Sequence, residues 1–320
     1  MKKVFVALAL TFVFSIILTS SVPVCAETET NWPEKRIEMI WHSKAGSGGD
    51  IYLRALARFL EKKTGQTVIV NNVTGASGAN AWMKVAKANP DGYTILGVSS
   101  TIVASPVVNN LTVNYENFDH VARMFIDAVC LFVAADSPYK TLEDLIADAK
   151  KRPGEVTLAG GTAGNIEFVA ARELMKEAGC EVSIVPFEGG GDGAVSVLGG
   201  HVSAGVGEYA EIASSAEAGK LRILATFNKL QDKSIPTVAE AGYPNVTVEK
   251  LRGIFVPKGT PKPVIEKLTK LLKEAMEDPD FKAYYTANNL IPAFAEGEEF
   301  TKILALQTEQ VKESIGQQKK

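Results

Sequence analysis

Lys44-Ala45-Gly46-Ser47-Gly48-Gly49-Asp50 stands between two stretches of opposite character. Before it, Ile37-Glu38-Met39-Ile40-Trp41 is an apolar run of strand length. After it, the chain from Asp50 to Lys63 places Ile51, Ala55 and Phe59, with Leu56 and Leu60, on one face at helical spacing. Asp50 reads as the N-cap of that helix and Gly65 as its stop. A strand, a glycine loop and a helix start form a corner that points free backbone N–H groups and the positive end of a helix dipole outward. Small residues let an anion come close to that backbone. The expected occupant is a carboxylate.

The same grammar continues outward. Thr67 to Val70 reads as a strand, followed by the small-residue loop Asn71 to Ala79 and a helix from Asn80 to Ala88. Asn89-Pro90-Asp91-Gly92 stops that helix, and Tyr93 to Val98 is a buried-type strand ending at Ser99-Ser100-Thr101. This β-α-β-α-β run implies a parallel sheet with helices on its faces. Val129 to Ala134 is a further strand, and Thr141 with Asp144 forms a capping box for a helix ended by Pro153-Gly154. The first corner then recurs: strand Val156 to Ala159, loop Gly160-Gly161-Thr162-Ala163-Gly164-Asn165, helix Ile166 to Ala178. Strand Val182 to Phe187, helix Ala194 to Leu198 and strand His201 to Val206, running on to Glu208, complete a second β-α-β-α-β run. Strands are expected at 220–226 and 252–256, a short helix at 236–244, and helices from Pro263 to Glu277 and from Glu298 to near Ile315, with a frayed tail from Gly316. Ligands of such sheets bind outside the carboxyl ends of the strands. Two similar α/β lobes with glycine-rich strand ends therefore suggest a ligand in the cleft between them, where two helix N-termini face each other.

Composition narrows the function. Of 320 residues, 46% are hydrophobic and 22% charged, enough for a substantial core in one large or two medium domains. The net charge of −3, with no basic tract beyond two or three residues before Lys319-Lys320, argues against nucleic acid as a partner. Lys2 and Lys3, the apolar run Val4 to Leu18 and Val24-Cys25-Ala26 read as a secretory signal peptide over 1–26, cleaved after Ala26. The run is short for a membrane span. Cleavage removes two lysines and no acid, so the exported chain carries −3 − 2 = −5. Cys130 and Cys180 then enter an oxidising space, yet two lone cysteines in so long a chain read as buried hydrophobes rather than a bridge. No Cys/His spacing suits a metal, and no cofactor is implied.

Several stretches together resemble the substrate-binding proteins of the tripartite tricarboxylate transporters, the Bug or TctC-type receptors. They are Trp32-Pro33-Glu34-Lys35-Arg36-Ile37, Ala45-Gly46-Ser47-Gly48-Gly49-Asp50 with Arg54, Asn89-Pro90-Asp91-Gly92-Tyr93-Thr94, Val185 to Gly191, Gly199-Gly200-His201-Val202, Gly219 to Arg222, Pro236 to Pro244 and Pro257 to Pro261. They follow the family's order over nearly the whole exported chain. The resemblance implies a two-lobed periplasmic-binding-protein fold, type II-like, with two hinge crossings and a mixed, mainly parallel sheet in each lobe. Lobe 1 is then 27–125 plus 253–320, and lobe 2 is 126–252. It also implies capture of a small carboxylate, held mostly by backbone amides and water, and delivery to a membrane permease by a protein expected to be monomeric. Two departures bear on the ligand. Trp41-His42-Ser43-Lys44 replaces the family's aliphatic, Pro and Phe before the first glycine loop, and no His stands near Glu167-Phe168, where the family often has one.

The candidate ligand-binding residues are Gly46, Ser47, Gly48, Gly49 and Asp50 in the first loop, Ser99, Ser100 and Thr101 at a strand tip, Gly161, Thr162 and Asn165 in the second loop, and His42, Lys44 and Glu208 beside them. Each has a plainer reading. The glycine loops serve as tight turns, Asp50 as a cap paired with Arg54, the serines as strand-end caps, Lys44 and Glu208 as solvated charges, and His42 as a structural imidazole. A free acid at Asp50 would repel a carboxylate unless it met a ligand amine. An exported hydrolase is disfavoured: Ser47 lies near His42, but no Gly-x-Ser-x-Gly elbow exists and three histidines offer no triad. A phosphate loop would need Gly-Lys-Ser/Thr, which is missing. A sensor partner in place of a permease stays open on sequence grounds.

Overall fold

Two β-sheets carry the chain, and one strand order is repeated in both. The structure is a computed structural model that describes residues 30–187, 189–230, 233–246 and 248–316; the signal-peptide reading and the tail from 317 lie outside them. In chain order the elements are β1 (Ile37–Trp41), α1 (Gly48–Thr64), β2 (Val68–Asn72), α2 (Ala79–Ala86), β3 (Thr94–Ser99), α3 (Thr101–Asn109), β4 (Phe118–Asp127), β5 (Val129–Ala134), α4 (Leu142–Lys151), β6 (Thr157–Gly161), α5 (Ile166–Glu177), β7 (Ser183–Phe187), α6 (Gly190–Leu198), β8 (Ala204–Glu208), α7 (Tyr209–Glu217), β9 (Leu221–Thr226), β10 (Lys250–Pro257), α8 (Lys262–Glu277), α9 (Pro279–Ala287), β11 (Ile291–Glu296) and α10 (Gly297–Gly316).

The first sheet runs β11-β4-β10-β3-β1-β2 and the second β7-β6-β8-β5-β9. In the first, β1 lies parallel between β2 and β3, and β10 joins β3 antiparallel. In the second, β6 lies parallel between β7 and β8, and β5 joins β8 antiparallel. Each lobe is thus a β-α-β-α-β unit closed by one antiparallel strand. Helices cover both faces of the first sheet. Tyr52, Leu53, Leu56, Phe59 and Leu60 of α1 pack with Leu268 and Leu272 of α8 and Phe281 of α9 on one side. Trp82, Ile102, Val103, Phe300 and Leu304 pack on the other. The second sheet is covered in the same manner by α4 and α5, with Leu145, Ala170 and Leu174, and by α6 and α7, with Val197 and Ile212. Cys130 and Cys180 are both free thiols, Cys130 buried in the second lobe.

The chain passes between the sheets twice, from β4 to β5 through Ala128, and again between β9 and β10. Local signals set most boundaries. Thr141 and Asp144 cap α4 reciprocally, as a capping box requires. Elsewhere the structure corrects the sequence reading. Ser47, not Asp50, is the N-cap of α1, and Asp50 sits in its first turn. The stretch 236–244 is a set of turns held to β9 by a Thr226–Thr237 bridge, not a helix. Ser99-Ser100-Thr101 is no free tip, because α3 begins at Thr101.

Candidate ligand-binding site

The carboxyl ends of β1, β6 and β8 meet across the gap between the sheets. They enclose a cavity of about 30 Å³, whose wall includes Trp41, His42, Ser47 and Thr101 from the first lobe, Gly161, Asn165, Glu167, Glu208 and Glu211 from the second, and Lys250 of β10. That is room for about two water molecules. The lobes are therefore drawn together there, leaving little room between them.

The first glycine loop makes this approach possible. A side chain at Gly48 would overlap Glu208 Oε2, and one at Gly49 would overlap the Trp41 ring. Trp41 itself is buried, its Nε1 donating to Ser47 Oγ at 2.9 Å. Asp50 is buried too. It accepts from the Gly46 N–H at 2.8 Å and pairs with Arg54 at 2.9 Å, the local pair that the sequence leads one to expect. Burial opposes its charge, but these partners outweigh it and hold its pKa below the usual carboxylate value. Asp50 thus tightens the loop and does not face the cavity.

The outward N–H of α1 has a carboxyl on it. Glu211 Oε1 of the second lobe accepts from Gly48 N at 3.1 Å, and Glu211 Oε2 accepts from Glu208 N at 3.3 Å. The protein's own side chain thus stands where an acid group was expected. Around it lies a buried ion network. Lys250 contacts Glu167 and Glu208, and Arg252 contacts Asp127 and Glu208. Arg252 Nε also donates to Asp127 Oδ2 at 2.7 Å, and its guanidinium lies 5.1 Å from the Trp41 ring centroid. Burial works against the charge of Glu208, yet Arg252 and Lys250 bring its pKa down to about 2. At Glu211 the balance reverses: burial first, then the charge of Glu208, outweigh Lys250 and raise its pKa to about 8. Asp127 rises to about 6, burial outweighing Arg252. His42 falls to about 3, through burial and then the charges of Lys250 and Arg252, so its ring is neutral.

The predicted residues divide as follows. His42, Ser47, Thr101, Gly161, Asn165 and Glu208 line the cavity. Gly46, Gly48, Gly49 and Asp50 build the loop behind it. Lys44 pairs with Asp192 across the gap at 2.6 Å, and both are about half exposed, at 49% and 52%. Ser99 Oγ donates to Thr101 Oγ1 within the strand end. Ser100 Oγ donates to the Glu249 carbonyl and accepts from Leu251 N, so both serines serve the backbone and stand off the cavity. Thr162 closes a turn, its carbonyl accepting from Asn165 N. Glu208, which sequence alone leaves open as a solvated acid, is only 3% exposed. His120 is not a surface residue: its ring bonds Thr301 Oγ1 and the Tyr115 carbonyl. Sequence reasoning missed Glu167, Glu211, Lys250, Arg252 and Asp127. One signal was available, since Lys250 and Arg252 alternate in a strand whose every residue is buried.

A family model described as tripartite tricarboxylate transporter family receptor matches residues 52–319. BugT of Bordetella pertussis is 30% identical over 287 residues, covering 86% of this chain and 86% of its own. Among solved structures, the periplasmic binding protein BugD superposes with a TM-score of 0.81 at 25% identity, over 89% of this chain and 98% of that one. A protein of R. palustris solved with adipate superposes at 0.83 with 23% identity, over 89% of this chain and 99% of that one, a likeness of fold.

Proposed function

The chain belongs to the tripartite tricarboxylate transporter receptor family, and on that premise we propose that it captures a small organic acid between its lobes and hands it to a membrane permease. One observation carries the reading: the carboxyl of Glu211 sits on the Gly48 N–H at the start of α1. Those oxygens stand in for the ligand's acid group at a helix N-terminus suited to negative charge. A ligand acid displaces Glu211 there, and the lobes close over it by turning about the two strand crossings. The R. palustris relative with adipate, of the same fold, supports an acid as the ligand class. Lobe 1 is taken as 27–125 plus 253–320 and lobe 2 as 126–252. His42, Ser47, Thr101, Gly161, Asn165 and Glu208 touch the ligand, and Gly46, Gly48, Gly49 and Asp50 shape its seat. The protein works as an exported monomer that binds without catalysis. No helix among the described residues is long and apolar enough to cross a membrane.

The test is a thermal-shift screen with succinate, malate, adipate, citrate, aspartate and glutamate, followed by calorimetry. A ligand of the native state raises the melting point by mass action. Stabilisation by one or two acids is expected; a folded protein indifferent to all of them would overturn the reading.

A further inference from the structure

We infer, resting on the lobe movement of the proposed function, that a groove on the far side of the second crossing shuts when the lobes part, so that burial of its apolar walls favours the open form and opposes ligand binding. The groove holds about 330 Å³ and lies between α10 of the first lobe and α5 of the second. Ile303, Leu306 and Gln310 line it from α10, and Ile166, Val169 and Glu173 from α5. Both sets follow the same three- and four-residue spacing, so each helix offers one face. Val248 and Glu249, where the chain returns to the first sheet, line it as well. Leu306 is 61% exposed there.

Groove and ligand cavity back onto each other. Ser100 lines the groove and Thr101 the cavity. Ile166 lines the groove, while Asn165 and Glu167 on either side of it line the cavity. Glu249 lines the groove and Lys250 the cavity. A single wall therefore divides them, built from both lobes and the second crossing. Ser100 Oγ ties that wall together, donating to the Glu249 carbonyl at 3.0 Å and accepting from Leu251 N at 2.9 Å. Two bodies joined along a wall approach on one side as they separate on the other. This form stands at one end of such a movement, with about 30 Å³ on the cavity side and about 330 Å³ on the groove side. Parting the lobes at the cavity brings the α5 face onto the α10 face.

That contact removes the exposed part of Leu306 and the half-buried Val169 and Ile303 from water in the open form. Closure over an acid returns them to water, so the groove acts as a counterweight to the cleft. Stripping its apolar walls raises the closed fraction of the free protein and tightens binding without altering any contact to the acid.

Distances between spin labels on exposed positions test this. Ala45→Cys with Val195→Cys spans the cleft rim beside the Lys44–Asp192 pair, and Arg172→Cys with Ala305→Cys spans the groove, with Cys130 and Cys180 replaced by Ala and Ser. The acid used is whichever of succinate, malate, adipate, citrate, aspartate and glutamate most raises the melting point. On its addition the rim distance should shorten and the groove distance lengthen. Leu306→Ser should shift the acid-free protein toward the short rim distance and tighten binding in calorimetry by about threefold to tenfold. Leu198→Ser, at a 40% exposed apolar side chain outside the groove, should do neither. A groove distance that stays fixed or shortens as the rim closes, or a Leu306→Ser affinity within about twofold of the parent, would overturn this inference and leave the proposed function standing. If none of the acids binds, the proposed function falls and the acid-free proteins decide: label distances in Leu306→Ser equal to those of the parent overturn the counterweight, and a shorter rim with a longer groove sustains it.

Discussion

Replacing Gly48 with alanine should separate closure of the lobes from folding of either one. Gly48 is the first residue of α1, and as a helical position it should favour alanine locally by up to about 1 kcal/mol. The new methyl, however, falls on Glu208 Oε2, with Arg252 Nη2 only 3.1 Å away. A carboxylate at the end of a flexible side chain normally yields at little cost. Here it is buried and held by Lys250 on one oxygen and Arg252 on the other. Moving Oε2 off Arg252 breaks one arm of a buried network, a change that costs about 3–5 kcal/mol when a partner is lost outright. The alternative is for the lobes to stay apart, which caps the penalty below that figure. Ligand affinity should therefore fall between about tenfold and about a thousandfold, at roughly 1.4 kcal/mol per decade. The melting point without ligand should fall only modestly, because the gain in helix propensity offsets part of the strain at Glu208. Calorimetry with the tightest-binding acid of the screen gives the affinity, and small-angle scattering gives the radius of gyration with and without it. An affinity within about threefold of the parent, together with full compaction on binding, would refute the reasoning.

Other outcomes follow from the same geometry. Lys250→Met removes the cation between Glu167 and Glu208, leaving Glu167 without its partner and Glu208 with Arg252 alone, and should lower unfolding free energy by about 3–5 kcal/mol in urea titration. Glu208 has a folded pKa near 2, below its unfolded value, so its stabilisation is present above the unfolded pKa and is lost as pH falls toward 2. Glu211 has the opposite sign. With a folded pKa near 8, the folded state holds more protons than the unfolded state between the unfolded value and 8. Stability should therefore fall as pH rises through that window, and Glu211→Gln should flatten the fall by up to about 1.4 kcal/mol per pH unit, read from urea midpoints across pH 5 to 8. Thr141→Ala removes one half of the α4 capping box and should cost about 1 kcal/mol of stability while leaving ligand affinity unchanged.

How far the sequence discloses this molecule depends on the reach of each interaction. The first corner was legible because strand, glycine loop and amphipathic helix are contiguous, and the α4 capping box because its partners stand three residues apart. Elements that defy local propensity were not. α3 carries Pro106 and a run of β-branched residues, and is helical because Ile102 and Val103 are buried against the first sheet. α6 opens on Gly190-Gly191-Asp192-Gly193, which reads as a loop until the sheet behind it is known. The site failed to appear for the same reason on a longer scale. Lys250 finds Glu208 across 42 residues and Glu167 across 83, and Arg252 finds Asp127 across 125. No periodicity links such positions. Glu211 was hidden differently: as the third residue of α7 it completes a cap on its own helix, and only the approach of α1 gives it a second role.

The placement of the ion network bears on how binding becomes motion. Asp127 is the last residue of β4, immediately before the first crossing, and pairs in register with Lys250, the first residue of β10 after the second. Arg252 lies two residues further on, and its guanidinium spans Asp127 at the crossing and Glu208 at the end of a second-lobe strand. Lys250 and Glu208, which line the cavity, therefore belong to the network that ties the two crossing strands to the second lobe. A hinge made of bare backbone would let the lobes close without regard to what lies between them. Here opening strains the contacts of Glu208 with Lys250 and Arg252, and a ligand that changes the charge beside Glu208 acts on the crossings directly. On the proposed function, site and hinge would share Lys250 and Glu208, so the free energy of recognition would be delivered where the lobes turn, with no separate relay between them.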